Sequence, residues 1–215
     1  MQREIQQSRY RNRHEIYTDG SVKDEEAGCG IYSEEFQLCA HLPKGTSVFT
    51  SELTAIYYAI KYIQNKEGNY IIYSDSFSAL SVLRNVSKTN NYVAHKIYQE
   101  MIKLPPNKLL FEWIPSHVGI HGNEKADKLA QKGTKVARVN NSPLPIQELK
   151  AKINQFIYKK WQQYWQASLS VNLAIKPNLG PPIGIGMPRR DQVMITRLRL
   201  GACRFTHDHL FSKSE

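Results

Sequence analysis

The stretch WIPSHVGIHGNEKADKLA, residues 113–130, decides the fold of the chain. It begins at the end of an apolar run, KLLFEWIP (108–115), which has the length of a strand, and continues through a loop rich in Gly and His. A helical pattern, NEKADKLAQKG (123–133), follows. Asn123 and Asp127 are four residues apart and therefore share one face of that helix. The stretch predicts a strand, a loop and a helix that directs one carboxylate towards a site.

The residues before this stretch predict an α/β fold. The element order βββαβααβα indicates a five-stranded mixed sheet, with an antiparallel meander of strands 1–3 and helical crossovers between the later strands. A Gly-Ser turn is expected directly after the first strand, and the first helix is expected to begin at residue 51 and end at Gly68. Strands are predicted at residues 15–19, 27–33, 36–42, 69–75 and 108–115, and the later helices at 76–85, 92–104 and 123–133.

Two acidic residues in the first half of the chain have simple structural alternatives. Asp19 ends the first predicted strand in YTDGS (17–21), but an Asp before Gly is also a common turn residue. Glu52 lies in the first turn of a helix that Thr50 or Ser51 could cap, where an acidic side chain also favours the helix dipole. Neither residue alone indicates a catalytic site.

Two more acidic residues lie further along the chain. Asp75 directly follows the apolar run YIIYS (70–74), at the carboxyl end of a strand, where open α/β sheets place their ligands. It could instead cap the next helix. Asp127 has the small neighbours Ala126 and Ala130, which suit a helix packed closely on a sheet, whereas an acidic residue on a solvated face needs no special explanation.

The four carboxylates make chemical sense as a group if a cation gathers them, because such charges repel one another strongly without one. Magnesium prefers hard oxygen ligands and is usually held by a few carboxylates and the substrate's phosphates. Two such ions, about 3.5–4 Å apart, can flank an in-line phosphoryl displacement. The set therefore predicts a magnesium centre for phosphoryl transfer.

These residues and their surroundings resemble the motif blocks of the ribonuclease H family. The blocks are YTDGS with Asp19, SEL with Glu52, YSDS with Asp75 and the stretch of residues 113–130, in the family's order over roughly residues 14–135. The resemblance implies the ribonuclease H-like fold and cleavage of the RNA strand of an RNA·DNA hybrid. It also implies that Asp19, Glu52, Asp75 and Asp127 are the catalytic acids and bind two Mg²⁺ or Mn²⁺ ions.

The resemblance implies roles for further residues. His117 matches a mobile histidine that assists proton handling or product departure, although an ordinary loop imidazole is the alternative. Asn123 would orient Asp127 or meet the substrate, with a capping role at the helix start as the alternative. Gly20, Ser21 and Ser76 are the remaining candidates for substrate binding. Hybrids are recognised through their shape and 2′-OH groups rather than through base edges.

The charge distribution predicts three regions. A basic arm (1–13) precedes a ribonuclease H catalytic domain (14–137), which has 13 Lys and Arg against 14 Asp and Glu. A basic, mainly helical extension (138–215) follows, with 12 Lys and Arg against 4 Asp and Glu. Basic flanks suit a polyanion, because neutralised phosphates release counterions, although a solubilising charge surplus is the alternative. The extension should contain a linker (134–145), a helix (146–169), a Pro/Gly-rich loop (172–188) and a second helix (191–201).

Two further stretches of the sequence bear on the substrate and on the origin of the chain. Residues 84–108 lack the extra basic helix and loop that grip the hybrid in the bacterial cellular form. The string ITRLRLGACRFTHDHLF (195–211) resembles the segment after the ribonuclease H domain in LINE-like, non-LTR retrotransposons. The reverse-transcriptase portion of a parent polyprotein is therefore an expected partner. Cys203, His207 and His209 lack the C-x₂-C partner of a zinc cluster.

Composition limits the location of the chain. The mean hydropathy is −0.50 and no run reaches the roughly 18 apolar residues of a membrane span. The first 15 residues lack the apolar core of a secretory signal, and three cysteines at unhelpful spacings argue against a disulfide framework. We therefore expect an intracellular protein, cytoplasmic or nuclear, with a monomer favoured and no membrane partner.

Two alternatives to an active nuclease remain at this stage. A catalytically decayed, nucleic-acid-binding remnant of a retroelement would explain the basic extension, but the presence of all four acidic residues counts against it. An integrase or exonuclease of the same general fold fits poorly, because the stretch 113–130 is ribonuclease H-like.

Overall fold

The computed structural model describes residues 12–136, 145–168, 177–180 and 186–199. The chain divides into two compact units between Leu149 and Lys150. Each unit is described by itself below. Within the described residues, no helix combines the length and the apolar composition that a membrane crossing requires.

The first unit begins with an antiparallel meander. Strand β1 (Arg13–Lys23) pairs with β2 (Glu26–Tyr32), which pairs with β3 (Gln37–Leu42). The two residues that join β1 and β2, Asp24 and Glu25, both have positive φ angles, of 52° and 65°. Mirror-image turns of this kind match the twist of a hairpin. The predicted meander is confirmed, but the first strand is much longer than expected.

Two parallel strands complete the sheet. Strand β4 (Asn69–Ser74) lies beside β1, and β5 (Leu109–Trp113) lies beside β4. The strand order is β3-β2-β1-β4-β5, so β1 is central and pairs with an antiparallel neighbour on one side and a parallel neighbour on the other. The predicted five-stranded mixed sheet flanked by helices is confirmed. A central strand of this kind provides a rigid position for a functional side chain.

Four helices follow the predicted order, and the first and last of them begin earlier than expected. The first begins at Val48 rather than at residue 51, because the hydroxyl of Ser47 caps it by accepting from the N–H of Thr50. It ends at Ile63, before Gly68. Hydroxyls at positions 47, 50 and 51 are equivalent by type, so only the backbone geometry selects the cap. The helices are α1 (Val48–Ile63), α2 (Phe77–Arg84), α3 (Tyr92–Met101) and α4 (His121–Gly133), with a 3₁₀ turn at Val86–Lys88.

The core lies mainly between the sheet and α1. Alternate residues of the strands meet the apolar face of this helix, as the periods of strands and helices require. Helix α4 packs very closely on β2, where a Cβ added to Gly30 would lie 2.2 Å from the carbonyl oxygen of Ala126. The predicted role of Ala126 and Ala130 in close packing is confirmed. Fully buried side chains of the core include Ile16, Ile31, Leu42, Leu53, Ile56, Ile60, Ile63 and Ile72.

The last residues of the first unit contact the start of α1. Pro145 is buried, and one carboxylate oxygen of Glu148 accepts hydrogen bonds from the N–H and hydroxyl of Ser47 and from the hydroxyl of Thr50. This carboxylate therefore lies at the N-terminus of α1, where a negative charge is favourable. Glu148 stabilises the start of the helix that carries Glu52.

The second unit is mainly helical in its described part. Helices α5 (Ile146–Ala167, which starts in the first unit) and α6 (Arg189–Arg199) confirm the two predicted helices of the extension. The side-chain amide of Gln162 on α5 accepts from the N–H of Leu179 across 2.6 Å and donates to the carbonyl of Pro177 across 2.9 Å. Most of the predicted arm, linker and Pro/Gly-rich loop, as well as Cys203, His207 and His209, lie outside the described residues.

Candidate metal centre

Asp19 lies where β1 and β4 separate. The last parallel pair is Thr18 with Ser74, whereas the antiparallel pairing with β2 continues to Lys23. Asp19 is therefore the first residue of β1 beyond its contact with β4. Asp75, which directly follows β4, lies at the same end of the sheet, as predicted. The divergence of the two strands opens the space that both carboxylates can enter.

The expected Gly-Ser turn after Asp19 is wrong. Gly20 and Ser21 are inside β1 and pair with Cys29 and Gly28 of β2. The glycine is required for packing instead, because a Cβ at position 20 would lie 2.4 Å from the backbone nitrogen of Glu52. This contact places α1 directly on β1 and brings Glu52 to Asp19.

Glu52 is not in the first turn of its helix. Because α1 begins at Val48, Glu52 is its fifth residue, where the effect of the helix dipole has largely faded. Its side chain is only 6% exposed, and one of its carboxylate oxygens, Oε2, is buried without a hydrogen-bond partner. A buried carboxylate oxygen without a partner is costly, so the dipole does not explain this residue.

Three carboxylates converge in one cleft. One oxygen from each of Asp19, Glu52 and Asp75 lies within 4.8 Å of the others. Oxygen ligands at this separation can share one divalent cation. The cleft has a volume of about 490 Å³ and is lined by Asp19, Gly20, Val48, Phe49, Glu52, Asp75, Ser76, Ser78, Ser116, His117 and Asp127.

The electrostatics of the cleft fit a cation. Burial, followed by the negative charges of Asp75 and Asp127, raises the pKa of the Asp19 carboxyl to about 7. Burial, followed by the charges of Asp19 and Asp75, raises the pKa of Glu52 to about 9. A hydrogen bond from the backbone of Gly20 opposes both shifts but does not cancel them. Ionising Asp19 and Glu52 together is therefore unfavourable at neutral pH without a positive charge beside them, and the unpartnered oxygen of Glu52 is available to such a charge.

Asp127 lines the same cleft from α4. Its Oδ1 accepts a hydrogen bond of 2.8 Å from the side-chain amide of Gln131, one helical turn further on. Asp127 is half-buried and therefore does not lie on a fully solvated helix face, which was the alternative explanation. Its negative charge reaches Asp19 and contributes to the raised pKa there.

Asn123 acts on a different acid from the one expected. Its side-chain Nδ2 donates to Oδ2 of Asp75 across 3.1 Å, rather than to Asp127. The capping alternative is also wrong, because α4 begins at His121 and Ile120 occupies the cap position. Asn123 is buried, and its Oδ1 has no hydrogen-bond partner. The side chain thus fixes one oxygen of Asp75.

Of the remaining candidate residues, His117 and Ser76 line the cleft and Ser21 does not. His117 is exposed on the cleft wall, with a φ angle of 55° that is uncommon for residues other than glycine. The hydroxyl of Ser76, also on the wall, caps α2 by accepting from the N–H of Ala79, so the expected alternative of Asp75 as the cap is wrong. Ser21 is half-buried in β1 and is not among the described residues that line the cleft.

The sequence did not predict one contact of the site, a hydrogen bond between Trp113 and Asp75. The indole N–H of Trp113 donates to the backbone carbonyl of Asp75 across 3.1 Å, and the ring lies edge-on to that of Phe77. Trp113 belongs to the deciding stretch, but a tryptophan at the end of a strand is usually explained by packing alone. The register of β5 beside β4, which pairs Trp113 with Ser74, places it beside Asp75, and no local sequence signal indicates this register.

Fold and cleft together define an α/β protein with a carboxylate centre suited to a divalent metal. Residues 11–135, more than half of the chain, match the family model for RNase H. The chain belongs to the RNase H family.

Proposed function

We propose that this protein is an endoribonuclease that hydrolyses the RNA strand of RNA·DNA hybrids. The observation that carries the proposal is the convergence of Asp19, Glu52 and Asp75 within 4.8 Å in a chain of the RNase H family. In this proposal residues 14–137 are the catalytic domain. The products are RNA fragments with a 3′-hydroxyl and a 5′-phosphate.

The acidic residues bind the metal in this proposal. Asp19, Glu52, Asp75 and Asp127 hold two Mg²⁺ ions, which Mn²⁺ can replace. Bound divalent ions supply the Lewis-acid charge for phosphodiester hydrolysis. The protein's contribution is to hold the four carboxylates in place, with Asn123 fixing one oxygen of Asp75.

His117 handles protons or assists product departure. Its imidazole is exposed on the cleft wall, in a loop outside the helices and strands. Imidazole can accept and donate a proton near neutral pH, which suits a residue at the rim of a hydrolytic site. The exposed position leaves the ring free to contact solvent and substrate.

Substrate binding involves the backbone near Asp19 and the basic extension. Gly20 and Ser76 line the cleft, and we assign Ser21 and Asn123 to the same binding role. The region 138–215 adds affinity for the polyanion, because its excess of Lys and Arg lies outside the nearly neutral catalytic domain. The proposed setting is reverse transcription of a non-LTR retroelement, beside the reverse-transcriptase portion of a polyprotein.

The decisive experiment is a cleavage assay with a labelled RNA·DNA hybrid. The wild-type protein should cut the RNA strand with Mg²⁺ and not with EDTA, and should leave the DNA strand, duplex DNA and duplex RNA intact. Asp75→Asn should fold normally and lose nearly all cleavage. If the wild-type protein binds hybrid but never cuts it under any divalent metal, it is the decayed binding remnant instead.

A further inference from the structure

Helix α5 exposes large aromatic side chains in its second half. Trp161 is 64% exposed and Tyr164 is 75% exposed. Trp161 lies three residues before Tyr164 and four before Trp165, so the three rings share one face of the helix. Single exposed apolar residues are ordinary, but a contiguous set of this size indicates a contact surface.

The shared face forms one wall of a pocket in the second unit. The pocket is lined by Trp161, Tyr164, Trp165, Ser168 and, from the segment that follows in the chain, Leu179. We name it the aromatic pocket. Its volume is about 410 Å³, which is within the range of ligand-binding pockets, and its walls are almost entirely apolar. A flat, uncharged group therefore fits this pocket better than a charged one.

Two polar side chains of α5 hold the opposite wall in place. Gln162 accepts from the N–H of Leu179 across 2.6 Å and donates to the carbonyl of Pro177 across 2.9 Å. The hydroxyl of Tyr158 donates to the carbonyl of Leu179. Both backbone polar groups of Leu179 are thereby paired with the helix. The aromatic pocket is preorganised, which lowers the cost of binding a ligand there.

The sequence around the aromatic pocket carries charges of one sign. Residues 149–190 contain seven Lys and Arg and no Asp or Glu. Lys159 and Lys160 directly precede Trp161 and are both exposed, and Nζ of Lys160 lies 5.9 Å from the ring centroid of Phe156. A helix that pairs with another helix usually carries both signs of charge beside its apolar stripe. Positive charge alone complements a polyanion instead.

We propose that the aromatic pocket binds the unpaired bases of a single-stranded nucleic acid, while the neighbouring lysines contact its phosphates. Sites for single strands combine aromatic side chains, on which bases stack, with a positive surface that follows the backbone. A base inside a duplex is already covered by its neighbours, so only an unpaired base presents a free face to Trp161 or Tyr164. The apolar walls offer the 2′-OH of RNA little to bind, so RNA and DNA strands should bind alike.

This site goes beyond the proposed function, which gives the extension contacts to phosphates alone. The test is fluorescence anisotropy with the whole chain in EDTA, and the probes are labelled oligothymidylate and oligouridylate of about 16 nucleotides. Trp161→Ala should weaken the binding of either probe by about 5- to 150-fold. Trp161→Phe keeps a ring and should retain most of the affinity, whereas Trp161→Leu keeps apolar surface without a ring and should lose most of it.

Tyr98→Ala is the matched control, because Tyr98 on α3 is 49% exposed and does not line the aromatic pocket. It should bind both probes normally. The proposal is overturned if Trp161→Ala binds as the wild-type protein does, if Tyr98→Ala loses as much affinity, or if Trp161→Leu keeps full affinity. Failure of the wild-type protein to bind either strand also overturns it and would leave the rings to a protein partner. Tyr164→Ala repeats the test if melting shows that Trp161→Ala is misfolded.

A blunt-ended hybrid of the same length separates stacking from charge. Trp161→Ala should change its affinity much less than that of the single strands, because paired bases offer no free face. The double variant Lys159→Gln, Lys160→Gln should weaken both kinds of probe and lower the salt dependence of binding. Equal losses of Trp161→Ala on hybrid and single strand would overturn the proposal. No step requires cleavage, so an inactive wild-type protein would refute the proposed function and leave this result standing.

Discussion

The side-chain amide of Asn123 holds Oδ2 of Asp75 across 3.1 Å and so links α4 to the end of β4. The acid at the carboxyl end of the sheet is therefore fixed by a neutral donor from another element, helix α4. The hydrogen bond connects the deciding stretch of the sequence to the proposed metal centre.

Replacing this donor should weaken metal binding without removing a ligand. Asn123→Ala frees one oxygen of Asp75, and the loss of such a supporting contact typically lowers metal affinity by about 10- to 100-fold. Isothermal titration with Mg²⁺ or Mn²⁺ measures the change. Gln37→Ala, at an exposed position of edge strand β3, is the control and should bind metal normally. Equal affinities of Asn123→Ala and the wild-type protein would contradict the positioning role.

Removal of a proposed ligand should have a larger effect than removal of its support. A bound metal ion contributes several kcal/mol to hydrolysis, so Asp75→Asn should lower kcat by about 10²- to 10⁴-fold. The two residues are nearly the same size, so the fold should persist and circular dichroism should be unchanged. Retained cleavage in this variant, with EDTA still inhibitory, would place the metal elsewhere.

Without metal, the protein should become less stable as the pH rises. Asp19 and Glu52 have ordinary pKa values near 4 and raised values of about 7 and 9 in the fold, so the folded state binds more protons than the unfolded state between these values. Their favourable contribution is complete below about pH 4 and is lost as the pH passes through 7 and 9. Urea unfolding in EDTA should give a lower free energy of unfolding at pH 8.5 than at pH 5.5.

Two comparisons check the origin of that pH dependence. Saturating Mg²⁺ should restore stability at pH 8.5 more than at pH 5.5, because metal and protons compete for the same carboxylates. The double variant Asp19→Asn, Glu52→Gln should flatten the dependence in EDTA. A free energy of unfolding that rises with pH in EDTA would show that other groups dominate.

A side chain at position 20 should destabilise the protein. The added Cβ of Gly20→Ala would meet the backbone of α1 at 2.4 Å, and backbone atoms cannot move aside cheaply. Overpacking of this kind costs about 1–3 kcal/mol, so the melting temperature should fall. Gly180→Ala, where an added Cβ has nothing within 4 Å, is the control. A neutral Gly20→Ala would mean that α1 does not lie directly on β1.

Loss of the carboxylate at the start of α1 should also cost stability. Glu148→Ala removes an acceptor for Ser47 and Thr50 and a negative charge from a helix N-terminus, which is worth about 1–2 kcal/mol. Glu124→Ala, an exposed acidic residue in the first turn of α4, is the control for a simple change in charge. If both variants melt alike, the contact of Glu148 with α1 contributes nothing specific.

The fold could be predicted because its signals are local. Apolar runs and helical spacing placed every strand and helix of the sheet domain, and the order of elements gave the mixed sheet. The sequence predictions were wrong where the role of a residue depends on a contact with a residue far away in the sequence. Gly20 was assigned to a turn because turns are the usual use of glycine, whereas its actual role depends on Glu52, which lies on another element.

The sequence predicted which residues form the candidate site, but not which of them contact one another. The acidic residues and His117 could be chosen because their local motifs are distinctive, and the structure brings all of them to one cleft. The partner of Asn123 could not be chosen, because helical spacing points to Asp127 and only the packing of α4 on the sheet points to Asp75. The orienting bond from Trp113 likewise depends on the register between β4 and β5.

The acidic residues of the centre lie on or next to four separate elements, β1, α1, β4 and α4. This arrangement has a consequence for a chain that is still being translated. Asp19 is translated before the residues that it meets, so it gains Glu52 and Asp75 only when the following helix and strand have emerged, and Asn123 comes later still. A growing chain therefore carries single acidic residues and no assembled centre. The carboxylate cluster is therefore a product of tertiary folding, and no single segment of the chain can form it before the segments pack together.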